Sequence, residues 1–154
     1  MAELVPVPFW WSRGRILREA FALAWEDRDT LEVRALVARA KASPRGVEAG
    51  ALEAVQGLPY HADPPGEWLQ RGRVTAVEGG DCEDLAALLA VVLVCCGVRA
   101  WLVWLSQPLS ARDHVSCALW RGGEWWWLEP SVKGAAPGES PYEAAKRTGL
   151  WVAL

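Results

Sequence analysis

Little in this chain of 154 residues points outward to a metal, a nucleic acid or a membrane. There are only 2 histidines, 4 cysteines and 1 methionine, and no pair of cysteines has the two-residue spacing of a zinc or redox motif. Convergent metal ligands are therefore scarce, and neither a metal nor another cofactor is expected. Basic residues do not exceed acidic ones, 16 against 19 with a formal net charge of −3, so no electrostatic footprint for nucleic acid exists. The longest apolar run, Leu85 to Cys96, falls short of the roughly 20 residues that span a bilayer. The N-terminus has an early acid, Glu3, and prolines at 6 and 8 in place of the basic and apolar regions of a secretory leader. A cytoplasmic product with free thiols is the expectation. Phe and Tyr number two each, whereas Trp numbers 11. Large amphipathic rings are thus concentrated in one residue type.

Hydrophobic content of 52% and this length suit one domain over residues 1–154. Residues 1–11 read as an extended aromatic arm, since Pro6 and Pro8 oppose a helix and Phe9, Trp10 and Trp11 cluster together. Residues 12–56 read as a helical part. One helix covers about 13–27 behind a Ser12 cap, another starts at Thr30 and stops before Ser43-Pro44, and a third covers 46–56. Residues 57–80, rich in Gly and Pro, read as a long ordered loop that opens the catalytic core, 57–154. From Asp81 to Cys96 a helix apolar on every side must be buried on every side, and Gly97 ends it. Strands are expected at 98–105, 113–120 and 124–128, with a tight turn at Gly122-Gly123 and a closing helix near 141–147. The fold class is α+β: N-terminal helices and a buried helix packed on a small antiparallel sheet.

Chemistry gathers at the start of the buried helix. With Asp81 as N-cap, Cys82 takes the first helical position, where the helix dipole and unpaired N–H groups favour thiolate. Asp81, Glu83 and Asp84 oppose it, so an imidazolium would have to outweigh them. A two-residue turn at Gly122-Gly123 places Ser131 opposite His114 and Glu129 opposite Ser116. Side chains alternate with period two, so all four share one face and Glu129 is within side-chain reach of His114. Asp113, adjacent in sequence, points the other way. Together Cys82, His114 and Glu129 make a Cys-His-Glu triad for nucleophilic acyl transfer. The backbone N–H of Cys82 is one oxyanion donor, and Gln70 or Trp68 could supply a second. Tyr60 and Arg73, with Arg71 and His61, are candidates for lining the substrate site. The other cysteines read as core residues, Cys117 by its parity on the opposite sheet face.

The segment Gly80-Asp81-Cys82-Glu83-Asp84-Leu85-Ala86 is followed by the buried helix, Gly97-Val98-Arg99-Ala100, Asp113-His114-Val115 and Trp127-Leu128-Glu129-Pro130. With Tyr60-His61-Ala62-Asp63 upstream, this pattern resembles the transglutaminase-like cysteine enzymes over about residues 60–131. The resemblance implies a papain-like core with Cys82 as nucleophile, His114 as base and Glu129 as orienting acid. The family's usual residue at the third position is Asp, one methylene shorter. It also implies acyl transfer on amide or peptide bonds, by hydrolysis or to an amine. Small members of this kind often occur among phage and prophage genes, some near tail genes. The alternative reading is a non-catalytic structural or assembly protein of a phage tail, contacting a protein partner through the aromatic arm.

Overall fold

The computed structural model describes residues 4–64, 68–105 and 113–148. Among these, six helices and two antiparallel sheets give a mixed α+β fold. The order is β1 (Leu4–Pro6), α1 (Arg13–Glu26), α2 (Leu31–Ala42), α3 (Val47–Gln56), β2 (Trp68–Gln70), α4 (Gly72–Glu78), α5 (Cys82–Cys95), β3 (Trp101–Leu105), β4 (His114–Arg121), β5 (Glu124–Leu128) and α6 (Pro141–Thr148).

The three N-terminal helices form where the apolar spacing places them. Ser12 caps α1 by accepting the Arg15 N–H, and Ile16, Ala20 and Ala24 form its buried stripe. Thr30 precedes α2, whose Val33, Leu36 and Ala40 face inward. The segment 57–80 is not one loop. Its middle holds β2, which pairs antiparallel with β1 (Val5 opposite Leu69), followed by α4. Both elements are too short for a periodic signal, and their stability comes from long-range contacts. Arg71, just before α4, forks onto Asp27 at the end of α1, with Nη2–Oδ1 at 2.6 Å and Nε–Oδ2 at 3.2 Å. The Arg73 N–H joins the same carboxylate at 3.1 Å.

The helix α5 forms the axis of the core. Leu85 to Leu93 are all at most 2% exposed, with α1, α2 and α3 against one side and β4 against another. It ends on a Schellman motif: Val98 N–H reaches Leu93 O at 2.9 Å and Gly97 N–H reaches Val94 O at 2.9 Å. That motif uses the backbone of 97–98, so β3 starts at Trp101 and the expected strand is shorter at its front. The other sheet has the order β3-β4-β5. Its hairpin turns on Gly122 and Gly123, at φ +57° and +83°, values suited to a type I′ turn. The register follows, with Trp120 opposite Trp125 and Cys117 opposite Leu128. Val115, Cys117, Leu119 and Leu128 bury the face turned to the core.

Of the ten described tryptophans, three are exposed and seven half-buried. None of the described ones is fully buried, and Trp120 and Trp125 are exposed at 53% and 37%. Trp120 and Trp101 both meet Trp125 edge to face, with centroids 4.9 and 6.3 Å apart. This group sits at the turn end of the hairpin. His114, six residues back along β4, lies about 20 Å away at 3.3 Å per residue. These three rings are therefore remote from the proposed site, whereas Trp104 lies opposite Val115, the residue after His114. Phe9 and Trp10 of the arm are exposed at 100% and 64%, while Trp11 tucks against the core. Trp151 and the arm's first three residues lie outside the described residues.

Candidate active site

Asp81 caps α5 through a reciprocal capping box. Its Oδ1 accepts the Glu83 and Asp84 N–H groups at 3.1 and 3.2 Å, and Asp84 Oδ2 accepts the Asp81 N–H at 3.2 Å. Cys82 is thereby fixed as the first residue of α5, half-buried. No described residue accepts its N–H, as expected in the first turn of a helix. The start of β4 lies close to it: α5 packs on β4, and the backbone N–H of Val115 favours the Cys82 thiolate.

His114 is 2% exposed and Glu129 fully buried, and His114 Nε2 meets Glu129 Oε2 at 2.7 Å. The methylene that distinguishes Glu from Asp is accommodated, because Glu129 lies beyond the last paired residue of β5, where the chain has left the ladder. The second carboxylate oxygen, Oε1, accepts the Ser131 N–H at 2.8 Å. With Nε2 held by Glu129, Nδ1 is the ring nitrogen left to take a proton. Asp113 points away: its Oδ2 accepts the Trp104 indole N–H at 2.7 Å and pairs with Arg13 at 2.7 Å. Ser116 and Ser131 share the face of the pair, and their buried hydroxyls have no partner among the described residues.

Around Cys82 the acids prevail over the helix dipole. Burial raises its thiol well above the usual value, and the charges of Asp81, Glu83 and Glu129 add to this, against the single Val115 N–H. Burial and the neighbouring acids therefore favour the thiol form of Cys82. Asp81 and Asp84 are themselves affected. Burial, then the charge of Asp84, holds Asp81 up at about 8, and burial with the charge of Asp63 holds Asp84 up at about 7. Oxygens of Asp63, Asp81 and Asp84 lie within 4.8 Å of one another. That is the spacing of a hard-cation site, and protons shared among the carboxylates relieve the same repulsion.

The remaining candidates divide. Tyr60 bridges to Gly80, two residues before Cys82, and the His61 N–H donates to Gly80 O at 2.8 Å. His61 itself is exposed. Gly79 and Gly80 are both buried and tightly packed. A Cβ on Gly79 would stand 1.8 Å from Pro59 O, and one on Gly80 would stand 2.6 Å from Asp84 Cβ. Gln70 uses both amide hydrogens internally, on Thr75 Oγ1 at 2.7 Å and Gly79 O at 2.8 Å, so its side chain braces α4. Trp68 is half-buried in β2. Arg71 is engaged with Asp27, whereas Arg73 extends an exposed side chain.

Two groups around the site carried no functional reading in the sequence. The carboxylate cluster had a partial signal in the Asp81-x-x-Asp84 capping spacing, but its link to Asp63 is tertiary. Gln56, at the end of α3, had none, since the carbonyls it binds are 73–79 residues away. No family model, no curated protein and no solved structure matches the chain, so its chemistry has to be argued from these residues.

Proposed function

We propose that this chain is a cysteine-dependent acyl-transfer enzyme acting on amide or peptide bonds, with a papain-like, transglutaminase-like core and water as acceptor. The observation that carries the reading is the buried His114–Glu129 pair at 2.7 Å, formed where β4 meets the Cys82 sulfur. In the first step Nδ1 of His114 takes the thiol proton as sulfur attacks the carbonyl carbon. The carbonyl electron pair moves to oxygen, which accepts the Cys82 N–H. Collapse breaks the C–N bond, the imidazolium gives its proton to the departing amine, and a thioester remains. Water, deprotonated by His114, attacks the thioester; the carboxylic acid leaves and the thiol is restored. Glu129 holds the ring in one tautomer and balances its positive charge throughout. A peptide is the substrate class, and a cell-wall peptide is one such substrate.

The test is the alkylation rate of Cys82 by iodoacetamide between pH 5 and 9, read by mass spectrometry of each cysteine. Wild-type Cys82 is expected to react at least about 10-fold faster at pH 7 than Cys82 in His114→Ala, with Glu129→Gln between them. Equal rates in wild type and His114→Ala would end the proposal.

A second reading has its own observation, the exposed Phe9, Trp10 and Trp120. Such rings suit a structural protein of a phage particle built on an inactive scaffold, with a protein partner at the arm. A stable oligomer whose Cys82 reactivity ignores His114 would favour it. A monomer with the activated thiol would exclude it.

A further inference from the structure

The Ser131 N–H holds one oxygen of the acid in the His114–Glu129 pair, but the sheet does not hold the acid's backbone. The β4–β5 ladder stops at Cys117 and Leu128, one residue short of Glu129. Beyond that point the chain turns, with Ala135 N–H on Val132 O at 3.1 Å and Gly138 N–H on Trp127 O at 2.7 Å. Neither bond involves Glu129.

Gln56 fills the gap. Its side-chain Nε2 lies 2.9 Å from Glu129 O, 3.4 Å from Val132 O and 2.9 Å from Ala135 O. Two amide hydrogens thus serve three carbonyls, and the shortest contacts are to the first and last. Gln56 is the final residue of α3, a helix with Gly50, Ala51, Leu52, Ala54 and Val55 buried, which packs against α5. The path therefore closes. Cys82 starts α5, α5 packs on α3, the end of α3 grips the backbone of Glu129, Glu129 holds His114, and β4 packs back on α5.

We infer that Gln56 is a positioning residue of the active site, fixing the Glu129 backbone so that its carboxylate meets His114 Nε2. The inference rests on the proposed triad and assigns it a further member. Lys133 offers an internal control. Its Nζ also ties the same two segments, donating to Gln56 O and Leu58 O, but it is exposed and leaves the Gln56 amide untouched. If any bond between α3 and the loop served equally, the two residues would be equivalent.

Gln56→Met keeps the volume of the side chain and removes both hydrogens; Lys133→Met removes the other tie. Two readings are taken on the full chain. One is the 15N spectrum of the two imidazoles, which reports the tautomer of His114 directly and needs no substrate. The other is the His114-dependent part of Cys82 alkylation across pH 5–9. In wild type and Lys133→Met, His114 is expected to be the single Nε2–H tautomer, with alkylation rates within about two-fold of each other. In Gln56→Met the imidazole is expected to populate both tautomers and the alkylation rate to fall about 10-fold or more, as displaced catalytic groups do. A Gln56→Met protein with wild-type tautomer and rate would overturn the inference. So would equal losses in the two variants. If wild-type alkylation does not depend on His114, the proposed function fails; the tautomer reading still decides whether Gln56 positions the pair.

Discussion

The most exacting prediction concerns the carboxylates at the start of α5. Asp84, 4% exposed, is held at about 7 instead of its ordinary 3.8, and Asp81 at about 8. In the unfolded chain both ionise near 4. Between these limits the folded state binds more protons than the unfolded state, so stability falls as pH rises. The loss begins near the ordinary value, about 4, and is complete once the pH passes the folded values of about 7 and 8. Each pH unit is worth about 1.4 kcal/mol, and counting the shared proton once, over the three to four pH units between the ordinary and the raised values, gives about 4–6 kcal/mol. At roughly 2–4 °C per kcal/mol for a chain of this size, Tm should drop by about 10–20 °C from pH 4.5 to pH 8. The carboxylates shifted the other way do not mask this. Asp27 and Glu139 both lie below their ordinary values, Glu139 at about 2 through Arg147 and the Ala136 N–H, so they act below the window. Asn is the isostere of a protonated Asp, so Asp84→Asn should melt higher than wild type at pH 8 and show a much flatter profile. Scanning calorimetry at pH 4.5, 6 and 8 on both proteins makes the comparison. A wild-type Tm that is level or rises over this range would refute the reasoning, as would an equal slope in Asp84→Asn.

Other outcomes follow from single contacts. Asp27 is buried, and although burial alone would raise its carboxyl, the Arg71 fork and the Arg73 N–H hold it below the usual range. Asp27→Asn should cost about 2 kcal/mol in urea denaturation at pH 7. The deficit should close as pH falls through the lowered value, since this stabilisation is present above the ordinary pKa and lost on protonation. Gly79 combines φ +79° with a Cβ position 1.8 Å from a backbone oxygen. Gly79→Ala should cost more than about 3 kcal/mol or prevent folding, seen as rapid limited proteolysis. Gly134→Ala, at φ +82° with open space around it, should cost only about 1 kcal/mol.

What the sequence discloses depends on how local the cause is. The helices at 13–26, 31–42, 47–56 and 82–95 follow from apolar spacing and caps a few residues away. The hairpin register follows from two adjacent glycines, and that register brings His114 and Glu129 together. The misses are long-range. β2 and α4 exist through pairing with β1 and the Arg71–Asp27 bond, neither visible in a stretch rich in Gly and Pro. Gly79 and Gly80 are small because Pro59 and Asp84 press on them, a neighbourhood no window of sequence shows. The aromatic strands look like core by composition, yet Trp120 and Trp125 are exposed because no described residues form a layer over their face of the hairpin at that end. Gln70 was assigned by position along the chain, and its hydrogens are spent on the segment it belongs to.

The burial of α5 also orders events during synthesis. Its apolar run is made before the strand that covers it, and β4 lies about twenty residues further on. While the chain emerges, α1 to α3 can shelter one side of the helix, but the side that β4 will cover stays open to chaperones and to other nascent chains. Docking of β4 closes that side and in the same movement carries His114 to Cys82. Under the proposed function, closure of this side and the approach of His114 to Cys82 are thus one step, which a partly made chain has not reached.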